Sequence, residues 1–233
     1  MKMKQIDYLY QLSFMPRMFP VNCYLIEEED SLTLIDAALP YSYKAIIQAA
    51  NEIGKPMKHI VLTHAHSDHI GSLDKLATLL PDIQVSISRR DAKLLQGDTE
   101  LESGEENTPI KGGIPKNIQK KPDILLEDGD MVGSLLAIST PGHTPGHMAF
   151  LDTRTNALIA GDSFQTRGGI AVSGQLRPLF PFPAMATWNK EMAIESAERL
   201  LGLNPTLLSV GHGSIIEEPI EKMKLAIEHA KKR

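Results

Sequence analysis

Three histidines and an aspartate crowd into the six positions from His64 to His69, in "HIVLTHAHSDHIGS", directly behind a short apolar run. Imidazole and carboxylate groups are costly to bury unless something pairs with them. A chain with this run must therefore end a buried strand at a crevice where polar groups collect. His64 and His66 alternate off an extended backbone and can share one face, whereas Asp68 and His69 fall in the tight turn leading into a helix. Gly71 follows where the backbone has to come close to another element. Imidazole and carboxylate are donors suited to borderline divalent metals such as zinc.

The same punctuation recurs along the chain. "NCYLIEEEDSLTLIDAAL" reads as a hairpin, with runs Val21–Ile26 and Leu32–Ile35 around the turn Glu29-Asp30-Ser31 and a strand end at Asp36. Helical spacing follows in "YSYKAIIQAANEIG", in "IGSLDKLATLLP" and from Arg89 to Gln96, with "IQVSIS" as a strand between the last two. "LLAISTPGH", "HMAFLDT", "ALIAGDS" and "TLLSVGH" are further strands. "WNKEMAIESAERLLGL" reads as an amphipathic helix capped by Thr187, and "EPIEKMKLAIEHAKK" as a terminal helix. Two β-rich runs, each followed by helices, predict an α/β (α+β) fold in which two sheets pack face to face with helices outside. The whole span 1–233 reads as one domain of two similar halves. Residues 97–121 are polar, rich in Gly and Pro and without periodicity, which predicts a rim or lid loop.

Composition excludes several classes. The formal net charge of −5 gives no broad cationic surface for phosphate neutralisation, which argues against a nucleic-acid partner. A single cysteine, Cys23, rules out an intrachain disulfide framework and reads as a packed core residue. No run approaches the roughly 20 apolar residues that span a membrane, and Asp7 and Gln11 interrupt any signal-peptide core. The expectation is a cytoplasmic protein with a small-molecule substrate and no membrane partner; the sequence leaves the oligomeric state open, a homodimer included.

Four ligands suit one metal, yet His64, His66, Asp68 and His69 are too close in sequence to form one tetrahedron. Split in pairs, they make two half-sites that need more donors. His143 in "TPGH", Asp162 in "IAGDS" and His212 in "SVGHGS" supply them, each behind a glycine at a strand end. Five histidines and two aspartates suit a binuclear centre with one shared carboxylate. His147 is surplus to that set and reads as a structural or supporting residue, while His59 and His229 read as surface histidines. Ser67 and Ser163 read as turn residues.

The HxHxDH pattern of His64 to His69, with His143, Asp162 and His212 in this order and context, resembles the metallo-β-lactamase superfamily of hydrolases from about Val21 to His212. The resemblance implies an αβ/βα sandwich with the metals at one edge between the sheets. It implies that His64, His66 and His143 hold the first metal, that Asp68, His69 and His212 hold the second, and that Asp162 bridges them. Asp36 is similar to the family's early aspartate, which supports the ligand turn from behind. Two divalent ions, zinc first with iron or manganese as alternatives, would lower the pKa of a shared water towards about 7, and Asp68 would orient it and act as the catalytic proton shuttle.

Departures from known branches narrow the substrate. The commonest class B β-lactamases carry a cysteine where Asp162 stands, and acyl-homoserine lactonases a tyrosine where Phe164 and Gln165 follow it. Glyoxalase II enzymes add a C-terminal helical region, RNA-processing members add insertions and basic surface, and flavo-diiron reductases add a flavin domain. The reading is a stand-alone dinuclear hydrolase of carboxylic esters, lactones or thioesters, with a phosphodiesterase or a diiron redox or metal-binding protein as alternatives. Phe164, Leu179, Phe180, Phe182, Met185 and Trp188 are candidates for the substrate wall.

Overall fold

The computed structural model describes residues 1–232. Its inner strands are buried on both faces, which demands a layer on each side. Val21, Cys23 and Leu25 of one strand join a cluster under helices, while Tyr24 and Ile26 of the same strand join a cluster between the sheets. Two pairings of this kind, one per sheet, produce four layers.

The first half runs β1 (Lys2–Ile6), β2 (Leu9–Phe14), β3 (Val21–Glu27), β4 (Leu32–Ile35), α1 (Tyr43–Ile53), β5 (Met57–Val61), α2 (Ser67–Ile70), α3 (Leu73–Leu79), β6 (Gln84–Ser88), α4 (Asp91–Leu95) and β7 (Ile124–Leu126). These strands form one sheet in sequence order, antiparallel from β1 to β4 and parallel from β4 to β7. The second half contains β8 (Met131–Val132), β9 (Leu135–Ser139), β10 (Met148–Asp152), β11 (Ala157–Ile159), β12 (Phe164–Gln165), β13 (Ala171–Val172), α5 (Phe182–Ala186), α6 (Lys190–Gly202), β14 (Leu207–Ser209), β15 (Ile216–Glu217) and α7 (Ile220–Lys231). Its sheet has the order β15-β14-β11-β10-β9-β8, and β12 and β13 make a separate ribbon. Met148, Phe150, Ile159 and Leu207 face the first sheet; Ala149, Leu151, Leu158 and Leu208 face α6 and α7. The expected α/β sandwich is the fold, with mixed sheets inside and helices outside.

Two local expectations change. The helix expected across residues 70–80 is two pieces, α2 and α3, broken at Gly71 and Ser72. Gly71 lies so close to the 38–40 backbone that a Cβ there would sit 2.6 Å from Pro40 N, and its N–H donates to Ala38 O at 2.7 Å. Helix α6 is capped by Asn189, whose side chain accepts from Met192 N at 3.0 Å. Thr187 falls two residues ahead of that cap and closes α5 instead.

Segment 97–121 is irregular but well anchored. Asp74 accepts from the N–H groups of Gln119 and Lys120, Arg90 pairs with Glu105, and the Trp188 indole donates to Thr108 O at 3.0 Å. Among the described residues no helix is long and apolar enough to cross a membrane.

Candidate metal centre

The C-terminal ends of β4, β5, β9, β11 and β14 open on one edge of the sandwich, where strand ends project polar groups into a crevice. All seven residues expected as ligands meet there. Three sets have donor atoms within 4.8 Å of one another: His64, His66 and His143; His64, His69 and Asp162; and Asp68, His69 and His212. The middle set shares His64 with the first and His69 with the third, and Asp162 lies between the two, with carboxylate oxygens 3.4 Å from His143 Nε2 and 3.2 Å from His212 Nε2.

The hydrogen bonds behind each ring settle which nitrogen faces inward. Thr63 Oγ1 donates to Asp36 Oδ2 at 2.8 Å and so can only accept from His64 Nδ1–H, at 3.0 Å. His66 Nε2–H donates to Lys111 O at 2.9 Å, His69 Nδ1–H to Asp36 Oδ2 at 2.8 Å and His212 Nδ1–H to Pro20 O at 2.7 Å. Behind His143 a relay runs from Nδ1–H to Ser173 Oγ, from Ser173 to Thr187 and from Thr187 to Pro183 O. Each ring's proton is thus committed outward and its remaining nitrogen turned inward. Three of the inward atoms, His64 Nε2, His69 Nε2 and Asp162 Oδ1, are buried with no hydrogen bond, while the inward nitrogens of His143 and His66 lie 3.0 Å from each other and His212 Nε2 lies 3.2 Å from Asp162 Oδ2. Buried polar atoms without partners are rare in folded proteins. Here they face one another, and a divalent cation satisfies such a group of donors.

Electrostatics divides the site in two. Burial, reinforced by neighbouring rings, holds His64 well below the usual histidine range; burial likewise depresses His143 despite Asp162, and His66 despite Asp68. Burial also opposes charge on His69, but Asp162, Asp68 and Asp36 outweigh it and hold it up at about 10. His212 is raised against burial by Asp162 and Asp68. Asp162 is buried, yet His212 and His69 keep its carboxyl well below the carboxylate range. Three imidazoles that stay neutral therefore lie beside an acid-rich pair.

His147 has no nitrogen to spare. Its Nε2 accepts from Asp162 N–H at 3.1 Å and its Nδ1 faces Thr140 Oγ1 at 2.8 Å, so it fixes the backbone of Asp162. Burial pushes it down to about 3. Asp36 accepts from Thr63 N as well as from Thr63 Oγ1 and His69, which ties the histidine turn to β4.

Two supporting groups lie outside the expected set. Asp91, fully buried, accepts from Ala65 N at 3.1 Å, Thr144 Oγ1 at 2.8 Å and Gly146 N at 2.8 Å. It ties the His64–His66 turn to the His143 turn. Lys111 supplies its carbonyl to His66, so segment 97–121 holds a ring of the site. Gly112, next to it, has φ +96°, and a Cβ there would fall 2.2 Å from His66 Nε2. Replacing Gly112 by alanine is expected to lower kcat/KM about 10–100-fold, the usual effect of disturbing a group that orients a ligating histidine. Steady-state kinetics with metal content per chain checks this.

A cleft of about 360 Å³ lies over the centre, walled by Phe19, Gly112, Gly113, Phe182, Pro183 and Met185 beside His66, Asp68, His143, Asp162 and His212. Of the expected wall residues, Phe182 and Met185 line it. Phe164 does not, being fully buried in the core of the second half. Phe180 is buried behind the wall, in tilted contact with Phe19 and edge-on to Phe182, Trp188 is buried against segment 97–121, and Leu179 is 81% exposed outside the lining. Phe19, which the sequence did not single out, takes a wall position with its ring 5.5 Å from that of His212.

Residues 16–212 match the family profile of the metallo-beta-lactamase superfamily, most of the chain. The chain belongs to that superfamily. Its members bind divalent metals, and the clustered histidines and aspartates are this chain's candidate sites for them. It is 62% identical to YobT of Bacillus subtilis (strain 168) across the whole of both chains. It is 32% identical to the probable metallo-hydrolase YflN of the same organism, over 82% of this chain and 80% of that one. Among solved structures, TTHA1623 in a di-iron-bound form superposes with a TM-score of 0.65 at 27% identity, covering 91% of this chain and 96% of that one.

Proposed function

We propose that this protein is a dinuclear metal-dependent hydrolase of carboxylic esters, lactones or thioesters. The observation that carries the reading is the orientation of five imidazoles, each with its proton committed outward and its other nitrogen turned into the cluster around Asp162. His64, His66 and His143 would hold one cation and Asp68, His69 and His212 the other, with Asp162 shared. The donors are nitrogen and oxygen only, which suits zinc; the di-iron form of TTHA1623 makes iron the competing metal. When bound, the pair supplies a water nucleophile at neutral pH and polarises the scissile carbonyl.

The chain's own residues do the rest. Asp68, partly exposed in the cleft with Oδ2 3.5 Å from His212 Nε2, is placed to take the proton from the attacking water and return it to the leaving group. Phe19, Phe182 and Met185 offer an apolar wall to the acyl part of a small-molecule substrate and exclude water from that side. His147 and Asp36 hold Asp162 and His69 in register.

A panel of nitrophenyl esters, lactones, thioesters and bis-nitrophenyl phosphate, run before and after chelation and zinc restoration, tests the proposal. Carbonyl substrates are expected to turn over, to stop on chelation and to recover with zinc. Turnover confined to the phosphodiester, or indifferent to chelation, would contradict it.

A further inference from the structure

A second cleft, of about 720 Å³, lies on the other side of the 15–20 loop and is lined by Lys2, Lys4, Arg17 and Arg167 with no acidic residue among them. We propose that it binds an oxyanion group, phosphate or carboxylate, carried by the substrate at a distance from the bond that is cleaved. The link to turnover rests on the hydrolase reading above; the anion site rests on the cleft alone.

The charge pattern runs against the background of the chain, which has 29 acidic residues to 24 basic ones. Four cations collected around one concave surface without an acid in the lining make a local positive field that favours an anion. Only Lys4 has a carboxylate partner, Glu217 at 3.2 Å; among the described residues Lys2, Arg17 and Arg167 pair with none. Arg167 donates to the backbone carbonyl of Arg17 at 2.6 Å, which holds the Arg167 guanidinium beside the loop that carries Arg17. β1 is an edge strand, and edge strands often carry lysine to deter pairing with other chains. That accounts for Lys2 and Lys4. It leaves unexplained the two arginines, which come from separate loops and have the forked donors that suit phosphate and carboxylate.

The cleft also has a fixed relation to the metal centre. Phe19 and His212 line the first cleft; Pro20 and Gly213, the next residues along the chain in each case, line the second. The 15–20 loop is thus a partition with an aromatic face towards the metals and a cationic side away from them. Its position is held by the bond from His212 Nδ1 to Pro20 O. A substrate with an apolar acyl end and an anionic far end matches both surfaces.

The test is a titration of the zinc-loaded, 15N-labelled protein with sodium phosphate and, separately, sodium acetate, using sodium chloride as the control. Saturable shifts of the Arg167, Gly168, Gly213 and Ser214 amide signals are expected, and the tighter of the two anions names the group. In the protein carrying both Arg17→Gln and Arg167→Gln, the dissociation constant is expected to rise at least about tenfold, as two charge-assisted contacts are lost. Shifts no larger than those with chloride, shifts confined to Gly112 and Gly113 over the metals, or an adventitious response unchanged in the double variant would overturn the site. In a second arm, a phosphate-bearing acyl thioester is expected to show a KM about tenfold below that of its neutral analogue, and the gap to close in the double variant. Equal KM values in the native protein would refute the substrate role. If neither thioester is cleaved, the substrate role fails for thioesters, while the nitrophenyl ester and lactone panel still decides the hydrolase reading and the titration still decides the anion site.

Discussion

Replacing Asp162 by alanine is expected to reduce kcat/KM at least about a thousandfold, some 4 kcal/mol of barrier, and to lower the metal content of the purified protein. Its carboxylate lies 3.4 Å from His143 Nε2, 3.2 Å from His212 Nε2 and 3.6 Å from His69 Nε2, so it borders both donor sets at once. It is also the main negative charge acting on His212 and the largest one acting on His69. Without it the two rings face each other with less compensating charge, and a cation has no donor spanning both sets. Asp162→Asn separates shape from charge: it keeps the side-chain volume but turns an N–H donor or a neutral carbonyl towards the rings. Both variants are to be read by kinetics and by metal per chain. Full activity and full metal in Asp162→Ala would remove the shared role.

The second large effect is expected at Asp91, where alanine should cost roughly 3 kcal/mol of stability and loosen the first donor set. Three buried donors, Ala65 N, Thr144 Oγ1 and Gly146 N, lose their acceptor at once. Each unsatisfied buried group costs about 1–3 kcal/mol, offset in part because the carboxylate itself is held under strain by burial, which raises its pKa to about 6. Ala65 lies between His64 and His66, and Thr144 follows His143, so the three rings that these turns carry lose their mutual registration. Chemical denaturation measures the first effect. Metal titration measures the second, which should weaken one cation more than the other because His69 and His212 hang on Asp36 and Pro20 instead. Equal weakening of both cations would show that Asp91 supports the fold at large and not that set.

The centre was legible in the sequence because each contributing residue stands just behind an apolar run, and strand ends converge at one edge in a two-sheet sandwich. The donor types then narrowed the chemistry. Asp91 was not legible. In "SRRDAKLL" an aspartate reads as the start of a helix, and its partners are backbone and hydroxyl groups 26 to 55 residues away. The wall was only half legible for a related reason: "LRPLFPFPAMATW" has no period, so nothing says which rings turn inward. Phe180 and Phe182 are two residues apart, and one is buried while the other is half exposed over the cleft. Phe164 behaved as a core residue because its short strand pairs with β13 under α6 and α7. Strands of two or three residues, such as β8, β12 and β15, are too short to carry an alternation at all. Thr187 and Asn189 are both good capping types, and only the path of the chain decides between them: Thr187 closes α5 and Asn189 opens α6.

The whole account depends on two cations sharing one carboxylate. Metal analysis of the untagged protein, dialysed and normalised to chain concentration, addresses this directly. Two equivalents per chain are expected, falling to one or fewer in Asp162→Ala. A native protein that holds one equivalent or none after exposure to excess zinc, iron or manganese would contradict it.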